Sequence, residues 1–569
     1  ELALDVSITA YCKALVAAGY TGDIETSYAS RLAVATDNSV YQALPQAVLL
    51  PKTTDDLVIL TSLAQTSSFS HIKFSPRGGG TGTNGQSLTE HVVVDLSRHM
   101  RNILEINVEE RWVRVQAGVI KDQLNAFLKP YGFFFAPDLS TSNRATIGGM
   151  INTDASGQGS LVYGKPSDHV LALKTVLIDG NVLKTHKMAT FEAEHRAEMP
   201  NSIGRIYRQV LDSCREHRVQ ILEKFPRLNR FLTGYDLEHV FNDDLSEFDL
   251  SRIITGSEGS LGFVVEAKLN ITPIAKFKCL VNVKYNSFES ALRNAPFLVA
   301  ADATSVETVD SKVLNLARAD IIWHQVKDLI TDVPGVDMQG LNMVEYNSEQ
   351  QQDIEQKVAS LTARLDQAIA ESRDGIIGYQ LTYDNAAINS IYAMRKKAVG
   401  LLGNTKGRQK PLAFAEDNAV PPENLADFIL EFRALLDSHG LQIGPLESVF
   451  WSDDMKTGGA LRDQHIGATI ETLRNLRAVF PDEPELIVTY NLMALDWSRT
   501  DLAWEHPNGA RGLAFDQQKW EGMDVSRGLY LPGWGKGYTE AEFRHLSDIY
   551  GDKAAMWQHI HYVLAALVP

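Results

Sequence analysis

The residues best suited to chemistry form one glycine-rich run, residues 77–86, which reads Arg-Gly-Gly-Gly-Thr-Gly-Thr-Asn-Gly-Gln. It holds five glycines and follows an apolar, strand-like run at residues 71–76. Glycine has no Cβ, so the backbone can turn tightly and take positive φ repeatedly. Successive N–H groups can then converge on one anion, and a pyrophosphate fits that description best. The run therefore predicts where the charge of a cofactor binds.

The glycine run shares features with two known nucleotide-binding motifs, and it departs from both. The string from Gly80 to Gly85 fits G-x-G-x-x-G, the fingerprint of Rossmann dinucleotide sites. That fingerprint requires a helix directly after the glycines, whereas the β-branched residues 92–94 predict a strand. No Gly-Lys-Ser/Thr string closes a Walker A loop. A glycine-rich surface loop without a ligand is the alternative for this run taken alone.

The composition bounds the class of protein. A chain of 569 residues predicts about two to four domains. It has 44% hydrophobic and 22% charged residues, as soluble globular proteins do. The net charge of −17 argues against nucleic acid or an anionic membrane as the main partner. No apolar run approaches the eighteen residues or so that suggest a membrane span.

The termini and cysteines bear on localisation. The chain starts at Glu1 rather than Met, and its first residues do not resemble a signal peptide. Three cysteines lie far apart without a C-x-x-C string, which predicts neither a disulfide framework nor a zinc or iron–sulfur site. We therefore expect a reducing, cytoplasmic setting and no bound metal.

The elements that must position the glycine run can be outlined from periodicity and turn residues. Residues 1–35 are expected to be helical. A Thr or Asp in the Thr-Thr-Asp-Asp string from residue 53 is expected to cap a helix that follows a strand at 47–51. Further along, we expect a strand at 112–118, a helix at 119–131, a long ordered loop at 133–164, a strand pair at 170–183 and a strand–turn–strand unit at 253–265.

The pattern changes after Pro273. Strands at 279–285 and 305–309 and helices at 287–300 and 314–319 predict an α+β domain that continues to about residue 439. Six of the eight tryptophans follow residue 440, and only a helix at 466–480 is predicted there. We expect four parts: an N-terminal helical segment at 1–45, domains at 46–275 and 276–443, and an unassigned Trp-rich region at 444–569.

Two more segments are rich in glycine and small polar residues. The first runs from Pro137 through the Gly148-Gly149 pair to Gly157 and on to a Tyr163-Gly164-Lys165 string. The second covers residues 255–262 and reads Thr-Gly-Ser-Glu-Gly-Ser-Leu-Gly. In this order and spacing, the three segments resemble the FAD-binding domain of the vanillyl-alcohol oxidase / p-cresol methylhydroxylase (PCMH-type) family.

The resemblance implies an α+β protein: a PCMH-type FAD-binding domain of two subdomains, followed by an α+β substrate (cap) domain. It implies that the first loop and residues 145–152 hold the FAD pyrophosphate, and that the third segment packs along the flavin ring and ribityl chain. The implied cofactor-binding residues are Arg77, Gly78, Gly79, Gly80, Thr81, Gly82, Thr83, Asn84, Gly85, Gln86, Pro137, Ser140, Thr141, Thr146, Gly148, Gly149, Asn152, Ser156, Gly157, Tyr163, Gly164, Glu258, Gly259, Leu261, Gly262 and Val264.

Some members of that family attach FAD covalently through a histidine in an Arg-x-Gly-Gly-His string. Here Thr81 occupies the position of that histidine, so non-covalent FAD is expected.

Within the family, residues 1–443 resemble the FAD-linked D-2-hydroxy-acid dehydrogenases, in particular those acting on D-2-hydroxyglutarate. The strings that carry this resemblance begin at Ser305, Tyr392 and Ala415. It implies hydride transfer from C2 of a D-2-hydroxy acid to flavin N5, with Arg395 as the clamp for the substrate carboxylate. An arginine suits that role because its planar fork matches a carboxylate. A solvated helix cation beside Lys396 and Lys397 is the alternative for Arg395.

The resemblance ends near residue 443. Related dehydrogenases place metal ligands and a catalytic base in their last third, in Gly-His and Glu-His-Gly strings, and neither string follows in this chain. We interpret the single histidines His439, His465 and His545 and the pair His559 and His561 as structural, with a metal pair as the alternative for the last two. Glu505-His506 is interpreted as a turn before Pro507, with a displaced base or ligand as the alternative.

Two hypotheses follow. One is FAD-dependent oxidation of a D-2-hydroxy acid, with an electron acceptor that the sequence does not name. The other is a flavin-binding protein without dehydrogenase activity, with a replaced C-terminus. For either, the expected partner is a small 2-hydroxy acid rather than nucleic acid, and a homo-oligomer is an open alternative for the assembly.

Overall fold

A computed structural model describes residues 4–226, 234–401 and 420–438. Residues 1–404 and 412–428 form one compact unit, which contains nearly all of the described chain. A second unit comprises residues 405–411 and 429–569, and of it only residues 429–438 are described. The helix predicted at 466–480 and the histidines from His439 onward lie outside the described residues.

The first layer is a four-stranded sheet in the order β1-β2-β4-β3, in which β2, β4 and β3 are parallel. The cap expected before α3, a Thr or an Asp, is Thr53: its hydroxyl accepts from the amide of Asp56, whose carboxylate accepts from the amide of Thr53. The elements are α1 Val6–Ala17, β1 Asp23–Glu25, α2 Tyr28–Ala33, β2 Ala47–Leu50, α3 Thr54–Ala64, β3 Phe74–Arg77 and β4 Val92–Asp95.

The second layer is a five-stranded antiparallel sheet in the order β5-β6-β12-β8-β9. Alternate residues of β6, Val113 and Val115, are buried in the same core as Leu124 and Leu128 of α4. The elements are β5 Ile103–Asn107, β6 Trp112–Gln116, α4 Lys121–Leu128, β7 Phe133–Phe134, α5 Ile147–Thr153, α6 Ser160–Tyr163, α7 Pro166–His169, β8 Val170–Val176, β9 Val182–His186, β10 Met188–Ala189, α8 Thr190–Ala197, α9 Ser202–Glu216, α10 Arg218–Lys224, β11 Glu247–Phe248, α11 Ser251–Ile254, β12 Phe263–Asn270 and β13 Thr272–Pro273.

The third sheet is antiparallel, in the order β15-β16-β14-β17. Its central strand β14 is buried on both faces: Val281 and Val283 share a core with α16, whereas Leu280 shares one with Ile391 of α17. The elements are β14 Phe277–Tyr285, α12 Phe288–Arg293, α13 Ala295–Val299, β15 Ser305–Asp310, α14 Ser311–Arg318, α15 Trp323–Val326, β16 Gly340–Ser348, α16 Gln351–Ala370, β17 Ile376–Thr382, α17 Asn385–Leu401 and α18 Leu425–Ser438.

The structure confirms the α+β class, the strand–glycine loop–strand order around residues 77–86 and the hairpin at 170–183. Four local predictions were wrong. Strand β1 interrupts the helical segment 1–35, residues 251–254 are helical rather than extended, and α5 and α6 lie within the expected loop 133–164. The helix expected at 287–300 is two helices, because Pro296 starts a new one.

Among the described helices, none combines the length and the apolar character that crossing a bilayer requires.

Candidate active site

A cavity of about 840 Å³ lies where the three glycine-containing segments meet. Its wall also includes Glu307 of β15 and Arg395 and Lys396 of α17, which belong to the third sheet and its covering helix. The volume falls in the range of small-molecule and cofactor sites, roughly 300–1,000 Å³. The fold therefore brings together in one compact unit the residues that the sequence analysis singled out separately.

The first segment presents its backbone to the cavity. Residues 78–83 all line it, and within the described structure none of their six amides donates to a protein acceptor. Backbone N–H groups in a folded protein nearly always find a partner in protein, ligand or water. This row of donors supplies what an anionic group would need.

The second segment packs against the first too closely for side chains. A Cβ on Gly79 would lie 2.3 Å from the carbonyl oxygen of Arg144, and one on Gly78 would lie 2.1 Å from Oγ1 of Thr146. Thr146 caps α5, because its hydroxyl accepts from the amide of Gly149 at 3.2 Å. Glycine at positions 78 and 79 is thus required by contact between the segments.

Asn152 joins the second segment to the third. Its Nδ2 donates to the carbonyl of Gly148 at 2.8 Å, and its Oδ1 accepts from the amide of Gly259 at 3.1 Å. The amide of Glu258 also donates to the Asn152 carbonyl at 2.8 Å. Asn152 was predicted as a cofactor ligand; in the structure its side chain lines the cavity and fastens the two segments together.

Arg77 also holds a glycine-containing segment in place, the loop at residues 77–86, through hydrogen bonds of its side chain. Its guanidinium donates to the carbonyls of Val34 (3.2 Å) and Thr36 (2.8 Å) and to the Ser87 hydroxyl. Burial lowers the pKa of Arg77, and the nearby carboxylates of Asp95 and Asp37 oppose that shift. The side chain anchors the loop to residues 34–36.

Of the predicted site residues, the following line the cavity: Arg77, Gly78, Gly79, Gly80, Thr81, Gly82, Thr83, Asn84, Gln86, Ser140, Thr141, Thr146, Gly148, Gly149, Asn152, Ser156, Gly157, Glu258, Gly259, Val264 and Arg395. Six do not: Gly85, Pro137, Tyr163, Gly164, Leu261 and Gly262.

The surroundings of these six residues explain their placement. The Tyr163 ring packs edge-on against Phe134 with centroids 5.5 Å apart, and its hydroxyl accepts from Asn347 at 3.4 Å. Gly164 makes room for the Asp168 carboxylate and Gly262 for the Val176 carbonyl. In the same way, Gly85 lies against the ring of Tyr41, Pro137 is buried, and Leu261 is exposed.

Arg395 is paired rather than free. Its guanidinium forms an ion pair with Glu307, and both side chains line the cavity at 27% and 15% exposure. The family resemblance implied that Arg395 clamps a substrate carboxylate, and in the structure a carboxylate of the same chain contacts it. Glu307 lay inside the string quoted from Ser305 onward, so a search for carboxylates in that string could have found it.

Two further sets of paired charged side chains at the cavity were not predicted. Lys165 and Asp154 form an ion pair at 2.8 Å, with 7% and 9% of their side chains exposed. Asp138 lies 3.1 Å from the ammonium of Lys121 and 3.7 Å from that of Lys396. Asp138, Asp154 and Lys165 all lie inside the second glycine-containing segment, but nothing in that segment marks which cation each carboxylate meets.

The third sheet carries a buried polar cluster next to the Arg395–Glu307 pair. Ser305 pairs with Glu345 across β15 and β16, and both lie on the face covered by α17. Burial first, and then the neighbouring Glu345 carboxylate, raise the pKa of the Tyr392 hydroxyl, which lies one helical turn before Arg395. This cluster supports the part of α17 that forms the cavity wall.

The residues present fit FAD on three observations. The cavity has the volume of a cofactor site, residues 78–83 line it with amides that have no protein acceptor within the described structure, and the buried hydroxyl of Ser156, another lining residue, has no partner there either. Amides and hydroxyls are the donors that a diphosphate accepts from. The described residues contain no cluster of three or more histidine, cysteine or acidic side chains able to hold a metal ion.

Comparison with known families defines the class. Residues 45–186 match the FAD binding domain, and residues 274–448 match the C-terminal domain of FAD linked oxidases. The chain thus contains the two domains of FAD-linked oxidases, and the resemblance stated from its motifs is confirmed.

The most similar proteins among those compared include two bacterial D-2-hydroxyglutarate dehydrogenases. That of Pantoea ananatis is 62% identical over 437 residues, which is 77% of this chain and 43% of the relative. That of Escherichia coli is 62% identical over 426 residues, 75% of this chain and 42% of the relative. The chain thus spans less than half the length of these relatives.

The C-terminal residues match a different family. Residues 421–569 match D-mannonate dehydratase, and the mannonate dehydratase of Streptococcus uberis is 37% identical over 145 residues, 25% of this chain and 40% of that enzyme. The region that the sequence analysis left unassigned lies within this match.

Among solved structures, an alkyldihydroxyacetonephosphate synthase matches with a TM-score of 0.50 and 16% identity, over 69% of this chain and 64% of that one. This likeness concerns the fold alone.

Proposed function

We propose that this chain binds FAD non-covalently and oxidises a D-2-hydroxy acid, with D-2-hydroxyglutarate as the first candidate, to the 2-oxo acid. The observation that carries the proposal is the run of amides at residues 78–83 without protein acceptors within the described structure, in a cavity that Arg395 also lines. The identity to D-2-hydroxyglutarate dehydrogenases over three-quarters of the chain supports the choice of substrate.

When bound, FAD supplies the acceptor for the hydride that leaves C2 of the hydroxy acid. The chain holds the diphosphate by donors that do not titrate, namely the amides of residues 78–83 and the Ser156 hydroxyl. Covalent attachment would need a histidine at position 81, and the residue there is a threonine. We therefore expect flavin to leave the protein on denaturation.

Arg395 orients the substrate by its carboxylate, while Glu307 keeps the guanidinium in place until the substrate arrives. A bidentate arginine–carboxylate contact fixes direction as well as position. It would thereby set which substituent of the tetrahedral C2 points toward the hydride acceptor.

The test is an anaerobic titration of the purified flavin-loaded protein with D-2-hydroxyglutarate, its L-enantiomer and D-lactate. We expect the visible flavin band to bleach with a D-2-hydroxy acid and not with the L-enantiomer. The variant Arg395→Met should keep its flavin and require a much higher acid concentration to bleach. A flavin-loaded wild type that stays yellow with every acid would refute the proposal.

A second candidate is a flavin-binding protein without dehydrogenase activity. The match of residues 421–569 to D-mannonate dehydratase favours it, since the FAD-linked oxidase match ends at residue 448. Both candidates predict a yellow protein, and the same titration separates them.

We also propose a reducing, cytoplasmic setting. Cys12, Cys214 and Cys279 are all free thiols in the structure, and the last two are buried. Free thiols persist in reducing compartments.

A further inference from the structure

Glu345 of β16 is a buried carboxylate that no cationic side chain of the described residues neutralises. It is 5% exposed, and its Oε1 accepts from Nδ2 of Asn347 at 2.6 Å. Among the described residues, no lysine, arginine or histidine forms an ion pair with it, and Arg395 of the covering helix α17 pairs with Glu307 instead. A carboxylate withdrawn from water without a counter-charge is costly. The position therefore needs a proton or a cation.

Three oxygen atoms around Glu345 also lack hydrogen-bond partners within the described structure. They are Oγ of Ser305, the hydroxyl of Tyr392 and Oδ1 of Asn347, and all three are buried atoms. Ser305 lies directly opposite Glu345 across β15 and β16, and Asn347 lies two residues further along β16 on the same face. The Tyr392 hydroxyl neighbours Glu345 and Ser305 without hydrogen-bond geometry to either. Ser305 and Tyr392 are 2% and 9% exposed, so bulk water does not satisfy these atoms.

The contact between Asn347 and Glu345 favours an ionised carboxylate. It is short, as expected for a hydrogen bond to a charged acceptor. With Glu345 ionised, the amide cannot turn over, because its oxygen would then face another acceptor. A proton on Glu345 could satisfy one of the three unpartnered oxygens, and a water molecule would leave the negative charge in place. A singly charged cation would balance the charge and bind the whole set of oxygens.

We propose that a monovalent alkali cation binds between β15, β16 and α17, with the carboxylate of Glu345, the hydroxyls of Ser305 and Tyr392 and Oδ1 of Asn347 as its ligands. Hard cations bind oxygen ligands of these kinds. One carboxylate balances one positive charge, so a divalent ion is not expected. The cation ties α17 to the two strands at Tyr392, about one helical turn before Arg395 on the cavity wall. This binding does not require the flavin.

The test is thermal unfolding of the purified full chain, with KCl or NaCl replacing choline chloride at constant ionic strength. We expect Tm to rise with the alkali salt, since a ligand that binds only the folded chain stabilises it by mass action. At about ten times the Kd, the rise should be about 2 °C. In a crystal soaked in RbCl, an anomalous scattering peak should lie among the four oxygens.

Three variants locate the effect. Glu345→Gln keeps the shape of the side chain and removes its charge, so its Tm should not respond to the alkali salt. Tyr392→Phe removes one ligand oxygen and should raise the apparent Kd severalfold. Glu349→Gln is the matched control: Glu349 lies 3.7 Å from Lys276 and is 52% exposed, so this variant should keep the wild-type response.

Three results would overturn the inference. Equal wild-type Tm values in all three salts would indicate a protonated Glu345 and no cation. An alkali response that persists in Glu345→Gln, or a rubidium peak away from the four oxygens, would place the cation elsewhere. If Glu345→Gln does not fold, an unchanged apparent Kd in Tyr392→Phe overturns the inference in its place.

Discussion

Replacing Asn152 with alanine tests whether the three glycine-containing segments act as one unit. The side chain makes two hydrogen bonds, to the carbonyl of Gly148 and from the amide of Gly259, and both are partly buried. Each such bond contributes about 1 kcal/mol. Asn152→Ala should therefore lower the free energy of unfolding by about 2 kcal/mol, with a further penalty for the amide and carbonyl left without partners.

The assay is thermal unfolding of the apoprotein together with an FAD titration. For the compact unit of residues 1–404 and 412–428, whose unfolding entropy scales with its length, about 2 kcal/mol corresponds to a Tm lower by roughly 2–4 °C. Since Asn152 sets the distance between α5 and the Gly259 segment, the Kd for FAD should rise at least about tenfold in the same variant.

Two further variants sharpen the result. Asn107→Ala is the control, because the Asn107 amide oxygen accepts only from the amide of Glu110, at 2.9 Å, in an exposed turn. Asn152→Asp keeps an acceptor for Gly259 but places a carboxylate oxygen against the Gly148 carbonyl, so it should not restore the wild-type Tm or FAD affinity. If Asn152→Ala matches Asn107→Ala in both Tm and FAD affinity, the bridging role is refuted.

Three other outcomes are expected. Gly79→Ala should lower the flavin content of the purified protein severalfold, since its Cβ would lie 2.3 Å from the Arg144 carbonyl oxygen. In the control Gly149→Ala, the Cβ would meet the Thr146 hydroxyl at 3.2 Å, so the loss of flavin should be milder. Equal flavin content in the two variants would contradict this reasoning. Lys165→Met should cost about 3 kcal/mol in urea unfolding, because the buried carboxylate of Asp154 loses its cation and keeps the Ser167 amide and hydroxyl as neutral donors. The exposed Lys184→Met should have little effect, and a small loss in both variants would be a contrary result. Burial raises the pKa of Cys214 and of Cys279 to about 11, so at pH 8 iodoacetamide followed by peptide mapping should label partly exposed Cys12 first, and early labelling of either buried thiol would disprove the packing.

Local signals predicted much of the fold. The Thr53 cap followed by Asp56 at the third helical position marks a helix start, and the Asp179-Gly180-Asn181 turn marks a hairpin; the structure has both. By contrast, α5 was missed because Gly148 and Gly149 lower its helix propensity. It forms because Ile147 and Ile151 are buried and the Gly148 amide donates to Ala117.

The strand β1 was missed for a related reason. It has three residues, and its extended conformation depends on pairing with β2, some 25 residues later in the chain. A short strand without alternation carries no periodic signal of its own.

The candidate site also has parts that local sequence signals predict and parts that depend on contacts between distant segments. The loop at residues 77–86 was found because its function depends on main-chain geometry that glycine makes visible in the sequence. Asp138 and Glu307 both lie inside segments that the sequence marks, but their partners Lys121 and Arg395 reach them only when distant parts of the chain meet. The sequence could place Arg395 and Glu307 each in a recognisable string, but could not pair them.

The cations at 395–397 also fix the rotational setting of α17. Each points in a different direction, and each is held by a carboxylate from a separate part of the chain: β15, the loop at Asp138 and the turn at Asp320. Deleting or inserting one residue before Arg395 would turn the three side chains by about 100° and slide them by about 1.5 Å along the axis. All three pairs would then be mismatched together. Length changes in this helix should therefore be tolerated far less than substitutions at any one of its positions.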